Sequence, residues 1–174
     1  MTTPTDVLRA EHVLILRVLD ALEVAAARLE DGAGPGDRWW TAAIAWLREF
    51  ADRTHHAREE RGLFPALVAA GLHAGGPVEV MLAEHAEGRS LVEAMARRSA
   101  AARAAAARDY VSLLRAHIEK ENEILFPLAE TILGGAALAW LRREFEAIDR
   151  ELGPAADLAA AAARVDRLAL EPVG

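Results

Sequence analysis

The sequence predicts an all-α protein: an up-down-up-down four-helix bundle with an additional C-terminal helical segment. Apolar residues recur every three or four positions through four long stretches, which is the spacing of one helix face. Alanine is abundant and β-branched residues are sparse, a composition that favours helices. Glycine and proline cluster between the stretches, where turns are needed. The 174 residues suit one bundle domain over 1–152 and an alanine-rich C-terminal helix or tail over 153–174.

The first two helices are delimited by their flanking residues. Thr5 or Asp6 is predicted to cap the first helix, which should end in the Asp-Gly-Ala-Gly-Pro-Gly run of 31–36. The second helix is expected over about 37–70. Pro65 lies inside it and should kink it or end its regular part, because proline has no N–H and its ring clashes with the preceding turn.

Glycine and proline also delimit the later helices. The third helix should begin at the Gly-Gly-Pro of 75–77, and the fourth should run past Tyr110 and Phe126 to the break at Gly134. The Ala/Arg-rich run 97–108 is interpreted either as the frayed end of the third helix or as its turn into the fourth. A further helical segment is predicted over 138–152, packed across the end of the bundle.

Charge and composition exclude several classes of function. The net charge of −7 argues against a nucleic-acid partner, whose phosphates require a basic surface. The absence of cysteine excludes disulfides, thiolate zinc sites and iron–sulfur clusters. The N-terminus does not resemble a secretory signal, and no apolar run reaches the roughly 18 residues that span a bilayer. We therefore expect a cytoplasmic protein, monomer or homodimer, without nucleic-acid or membrane partners.

One phrase occurs twice in the chain. Residues 55–65 and 117–127, at an offset of 62, share a histidine, a glutamate four positions later, and a Leu-Phe-Pro ending. Residues four apart lie on the same face of a helix, so each phrase presents an imidazole beside a carboxylate. A single His-x-x-x-Glu is common by chance. Two copies in the same context predict two ligand-bearing helices that face one metal centre.

Each predicted bundle helix carries one histidine on its apolar face. The four are His12, His55, His85 and His117. A lone inward histidine is usually a core residue that has found a hydrogen-bond partner, but here that explanation must hold on four helices. Glu59 and Glu121 accompany two of the histidines, and an inward carboxylate without a cation costs several kcal/mol. We therefore predict that the set binds metal.

The neighbouring polar residues are less clearly assigned. His56 has no counterpart in the second phrase and lies about 100° round the helix from His55. It either reaches the far side of a two-metal site, or contacts the ligands from outside the site or lies on the surface. Glu60 is expected to be either an outer partner, meaning a residue that hydrogen-bonds a metal ligand without touching the metal, or solvated. His73 lies in a turn and should be exposed, and Glu84 and Glu119 are interpreted as surface charges.

The number of inward donors indicates two metals. Four or five imidazoles and two carboxylates exceed the four ligands of a tetrahedral structural zinc. Nitrogen and oxygen donors suit iron, manganese or zinc. Two glutamates only partly neutralise two divalent cations, so the centre favours a bridging hydroxide or a small anionic or diatomic ligand.

The two phrases, with the Glu-His pairs at 11–12 and 84–85, resemble the bacterial hemerythrin-like, or HHE cation-binding, family. The resemblance covers about 5–150 and implies a non-haem di-iron centre in a four-helix bundle. The ligands that it implies are His12, His55, Glu59, His85, His117 and Glu121, and family members often add a ligand at the position of His56. Arg89 stands where an oxygen-carrying hemerythrin has a second histidine after His85, which argues against reversible oxygen carriage. Ferritin-like di-iron proteins differ in using Glu-x-x-His.

These observations predict a dinuclear iron-binding protein that senses, stores or handles iron, dioxygen, nitric oxide or peroxide, and that is a binding protein more than an enzyme. Two alternatives stay open. One is a metal-dependent enzyme that reduces peroxide or nitric oxide, although no substrate motif beyond the metal is evident. The other is a structural bundle that holds zinc.

Overall fold

A computed structural model describes residues 2–73, 75–97 and 99–169, and every regular element in those ranges is helical. The all-α prediction is thereby confirmed. The first four helices form the bundle: α1 (Pro4–Glu30), α2 (37–69), α3 (Pro77–Met95) and α4 (100–132). Two more helices follow: α5 (Gly135–Leu152) and, after the short 3₁₀ turn Gly153–Ala156, α6 (Leu158–Leu168). Within the described ranges, none of these helices is long and apolar enough to cross a membrane.

The helix starts differ slightly from those that the sequence predicts. The N-cap of α1 is Thr3, not Thr5 or Asp6: its side chain accepts from the Asp6 N–H, and the Asp6 carboxylate accepts from the Thr3 N–H. This capping box leaves Pro4 in the first turn, where its missing N–H costs nothing. Ser99 caps α4, so most of the run 97–108 belongs to the fourth helix.

Neither of the two internal prolines ends its helix. In α2, the π-helical turns Leu47–His56 and Glu59–Leu63 precede the α-helical Phe64–Ala69. In α4, the π-helical Glu121–Leu125 precedes Phe126–Ile132. The last N–H before each proline bonds five residues back, from Phe64 to Glu59 and from Phe126 to Glu121. The wider turn relieves the clash expected at Pro65, and the irregularity therefore lies before the proline.

The core shows that the four bundle helices alternate in direction. One hydrophobic cluster joins the C-terminal part of α1, the N-terminal part of α2, the end of α3 and the start of α4, and it includes the fully buried Trp40, Trp46 and Phe50. A second cluster joins the opposite helix ends and includes Leu8 and Phe126. This pairing of ends is the up-down-up-down arrangement. A layer of buried polar side chains lies between the clusters.

The two C-terminal helices pack on the bundle. A Cβ added at Gly62 of α2 would lie 2.8 Å from Leu141 Cδ1 of α5, so the two helices are in close contact. Trp46 Nε1 donates to the carbonyl of Ala161 in α6 at 3.2 Å. The division into units 1–152 and 153–174 stays a prediction, and the end of the predicted tail, 170–174, lies outside the described residues.

Candidate metal centre

All seven residues that the sequence offers as metal ligands are buried in the polar layer. The residues and their exposed fractions are His12 1 %, His55 1 %, His56 3 %, Glu59 0 %, His85 1 %, His117 1 % and Glu121 0 %. They come from all four bundle helices, so the antiparallel packing brings together residues up to 109 positions apart in the chain.

On one side of the layer, α1 and α2 place two imidazoles against the carboxylates. His12 Nε2 lies 3.0 Å from His55 Nε2. His12 Nε2 is also 3.2 Å from Glu121 Oε2, and His55 Nε2 is 3.3 Å from Glu59 Oε1.

The same arrangement recurs between α3 and α4. His85 Nε2 lies 3.2 Å from His117 Nε2. His117 Nε2 is 3.3 Å from Glu121 Oε2, and His85 Nε2 is 3.4 Å from Glu59 Oε2. Each glutamate therefore lies between an imidazole of one pair and an imidazole of the other.

The potential ligand atoms fall into two groups of four, and within each group they lie within 4.8 Å of one another. Glu59 belongs to both groups, joined by His56, His85 and His117 in one and by His12, His55 and Glu121 in the other. Ligands at right angles on a metal, with bonds of about 2.1 Å, are about 3.0 Å apart, and tetrahedral ligands about 3.4 Å. The Nε2 and carboxylate separations of 3.0–3.4 Å match these values.

His56 joins the site from the same helix as His55. Its ring stacks on His85 with centroids 3.7 Å apart and planes at 12°. Its Nδ1 is 3.4 Å from Asp52 Oδ1, and neither ring nitrogen makes a hydrogen bond of good geometry to a described residue. Of the two alternatives open from the sequence, the structure places His56 inside the layer.

The outward ring nitrogen of each paired histidine has its own acceptor. His55 Nδ1 lies 2.9 Å from Glu11 Oε2. The other oxygen of the Glu11 carboxylate contacts Arg58. His117 Nδ1 lies 2.8 Å from Glu84 Oε2. With Nδ1 donating outward, Nε2 is left as the lone-pair nitrogen that faces the centre, as metal-binding histidines require.

The other two paired histidines follow the same rule. His12 Nδ1 lies 3.0 Å from Asn122 Oδ1, and His85 Nδ1 lies 2.8 Å from Glu60 Oε1. Glu60 is thus an outer partner. Arg89, four residues after His85, donates to the same Glu60 oxygen at 2.6 Å.

One residue near the site, Glu84, differs from the sequence-based expectation, and two others were not foreseen. Glu84, interpreted as a surface charge, instead holds His117 and contacts Lys120, whereas Glu119 and His73 are exposed as predicted. The sequence reasoning assigned no role to Asn122 or Arg58. A signal for Glu11 and Glu84 was present, since each directly precedes an inward histidine.

The phenylalanines of the repeated phrase line the site. Phe126 stacks on His12 at 5.4 Å between centroids with planes at 10°, and Phe64 stacks on His85 at 5.7 Å and 28°. The apolar rings exclude water from one side of the imidazoles. The Leu-Phe-Pro ending therefore belongs to the site as well as to the core.

Burial and local charge set the protonation of the site. Burial lowers the pKa of His55 well below its usual value and that of His56 to about 4, so both imidazoles are neutral near pH 7. Burial, reinforced by the Glu121 charge, raises the pKa of Glu59. Burial also opposes ionisation of Glu121, but the imidazoles of His117 and His12 outweigh it and lower its pKa.

The centre carries unpaired polar atoms that a cation would satisfy. None of the four oxygens of Glu59 and Glu121 has a hydrogen-bond partner of good geometry among the described residues. Buried carboxylates without partners are costly. Neutral imidazoles and carboxylates are ligands that divalent iron, manganese and zinc accept, so the donor set fits a pair of such ions.

A small cavity of about 50 Å³ lies on the outer side of His56, between α2, α3 and α4. Its inner wall includes Gly88 and the buried Tyr110, and two ion pairs lie at its edge: Arg48 with Glu93 and Arg89 with Asp52. Burial raises the pKa of the Tyr110 hydroxyl, which therefore stays protonated and able to donate a hydrogen bond.

The fold and this donor set define a helical bundle with a buried cation site. In agreement with that class, the family model for the hemerythrin HHE cation-binding domain matches residues 3–129. The chain belongs to this family, which confirms the resemblance and with it cation binding. Comparison with the curated proteins and with the solved structures found no significant match. Helices α5 and α6 lie beyond the matched residues.

Proposed function

We propose that the protein holds two iron ions in a non-haem dinuclear centre and uses it to sense, store or handle iron, dioxygen, nitric oxide or peroxide. His56, His85 and His117 would hold one ion, and His12 and His55 would hold the other. Glu59 would be shared by the two ions, and Glu121 would complete the ligands of the second.

The observation that carries this proposal is the sharing of Glu59 between two compact donor groups. A mononuclear site would need only one group. Glu121 adds to the argument because its Oε2 lies 3.2 Å from His12 and 3.3 Å from His117, one imidazole from each pair. Two carboxylates would only partly neutralise two divalent ions, and the remaining positive charge would favour hydroxide or another small anion at the centre.

Iron is favoured over the other metals that suit these donors by the family and by the imidazole-rich set, while zinc and manganese are the alternatives. The bound iron would supply redox chemistry and affinity for diatomic ligands. The chain itself holds His55 and His56 neutral, orients the paired imidazoles through their Nδ1 acceptors and excludes water with Phe64 and Phe126.

The test is metal content and the visible spectrum after purification with iron supplied, in parallel with and without air. We expect about two iron ions per chain and, after exposure to air, absorption typical of an oxo-bridged pair. A chain that contains one metal or none under both conditions would contradict the dinuclear proposal.

Two further outcomes separate the alternatives. Zinc as the sole metal, from cells supplied with iron, would support a structural site. Multiple turnovers of peroxide or nitric oxide by the iron-loaded protein, lost in Glu121→Gln, would show an enzyme, whereas stoichiometric binding without turnover would show a sensor or store. Gel filtration measures the expected monomer or homodimer.

A further inference from the structure

The helix that follows the family-matched region reaches the candidate metal centre through a continuous chain of polar contacts. Asp149 of α5 pairs with Arg58 of α2 through the guanidinium Nη2. Arg58 pairs through Nη1 with Glu11 of α1. Glu11 in turn lies 2.9 Å from the outward Nδ1 of His55.

Burial makes this chain of contacts electrostatically strong. The Arg58 side chain is 3 % exposed and Glu11 is 3 % exposed, so little solvent screens the charges between them. Asp149 lies at the rim and is 46 % exposed. Phe145 of the same helix packs its ring 5.9 Å from the guanidinium carbon of Arg58 and shields it further.

We propose that Asp149 is a positioning residue for the metal centre, acting through Arg58 and Glu11 on His55. Asp149 holds one side of the guanidinium and offsets part of its charge. Glu11 is then less neutralised by Arg58 and accepts more strongly from the His55 Nδ1–H. A stronger acceptor makes His55 a more basic ligand, which stabilises the more highly charged state of its metal.

The geometry distinguishes this contact from ordinary docking of α5. Arg61 of α2 pairs with Glu151 of α5 at 2.9 Å, and this pair is exposed and is not in contact with any outer partner of the histidines described above. Asp149→Asn and Glu151→Gln each remove one negative charge and one α5–α2 ion pair. Only the ion pair of Asp149 is connected to His55 through further contacts, so the two variants form a matched comparison.

The experiment uses the full-length chain loaded with iron and measures its midpoint potential and the rate at which a chelator removes iron. This inference rests on the proposed function. Residues in direct contact with a ligand change metal affinity by about 10-fold or more. Because Asp149 is three contacts from His55, we expect a smaller effect: Asp149→Asn should shift the oxidised-to-reduced ratio about threefold toward the reduced form, or about 30 mV upward for one electron.

Iron release should be faster in Asp149→Asn by a similar factor, and Glu151→Gln should match the wild type in both measurements. Equal values for Asp149→Asn and wild type, or equal shifts in both variants, would overturn this inference while leaving the proposed function intact. A wild-type chain that binds no metal would instead overturn the proposed function, and this inference with it.

Discussion

Three residues after His55 the chain places Arg58, and three residues after His117 it places Lys120. Each cation contacts the glutamate that holds its histidine, Glu11 for Arg58 and Glu84 for Lys120. The two halves of the site, α1 with α2 and α3 with α4, are therefore of the same kind. Each has a pair of imidazoles, a glutamate that accepts from an outward ring nitrogen, and a π-helical turn. The candidate metal centre is therefore built from two similar helix pairs.

The two halves differ in what covers them. Arg58 is 3 % exposed beneath α5, whereas Lys120 is 38 % exposed. At the offset of 62 residues, Gly62 corresponds to Ile124. Gly62 packs on α5, whereas Ile124 is 60 % exposed. The α2 phrase also adds His56. Similar motifs therefore produce one half that α5 covers and one half that is open. Variants at matched positions of the two phrases compare the metal binding and the stability of the two halves.

The largest effect is expected from the shared carboxylate. Glu59 belongs to both donor groups and Glu121 to one, so Glu59→Gln should lose both metals and Glu121→Gln should retain the ion held by three histidines. Metal content after dialysis measures this. We expect more than the roughly 100-fold loss of affinity caused by outer partners.

The exposed Glu123 of the same phrase supplies the control, since Glu123→Gln should keep full metal content. Glu59→Gln replaces a buried carboxyl group that has no hydrogen-bond partner among the described residues and whose pKa burial raises, so it should not lower the melting temperature of the metal-free protein. A lower value would point to misfolding and not to a missing ligand, and equal metal retention in the two site variants would contradict the shared role of Glu59.

His56 has no counterpart in the α4 phrase, where Ile118 occupies the position. His56→Ala should remove one of three imidazoles from one ion, so this ion is lost on dialysis and the metal content falls from about two toward about one per chain. His73→Ala makes the same substitution at an exposed turn histidine and should leave the content unchanged. Full retention in His56→Ala would show that His56 is not a ligand.

A smaller effect is expected from Glu84, which accepts from the outward nitrogen of His117 in the open half. Glu84→Gln weakens the hydrogen bond that His117 Nδ1 makes at 2.8 Å, and should lower metal affinity by about 10-fold. Competition with a metal-binding dye measures it. Glu87→Gln, on the same helix and exposed, is the control, and equal affinities for the two variants would contradict an outer role for Glu84.

The smallest effect concerns packing at the matched positions outside the site. Gly62→Ala places a methyl group 2.8 Å from Leu141 Cδ1 and 3.0 Å from Phe145 Cε1, so these two side chains of α5 must shift. We expect a loss of about 1 kcal/mol in the free energy of unfolding, because the contact is with flexible side-chain ends. Ile124→Ala, at an exposed position, should change it by no more than about 0.5 kcal/mol. Urea denaturation distinguishes the two.

The apolar periodicity and the placement of glycine and proline were enough to predict the bundle, and the repeated phrase with the inward histidines selected the residues that meet in its polar layer. Local spacing alone did not predict the π-helical turns, because His-x-x-x-Glu reads as an ordinary α-helical pair. Asp149 could not be found either, since it lies 91 residues from Arg58 and carries no motif. Contacts of that kind depend on how α5 packs, which is decided by tertiary structure.

The π-helical turns also fix how the two phrases tolerate insertions and deletions. Such a turn accommodates about one residue more than an α-helical turn of the same rise. Deleting a single residue from 121–125 would let α4 close into regular α-helix, and because the wide turn had absorbed that residue, the residues beyond it would keep nearly the same places around the axis relative to His117. Phe126 would then stay near the face of His12. The same deletion in a regular helical turn would rotate everything beyond it by about 100°, so the wide turns are the places where the two phrases can change length with least disturbance.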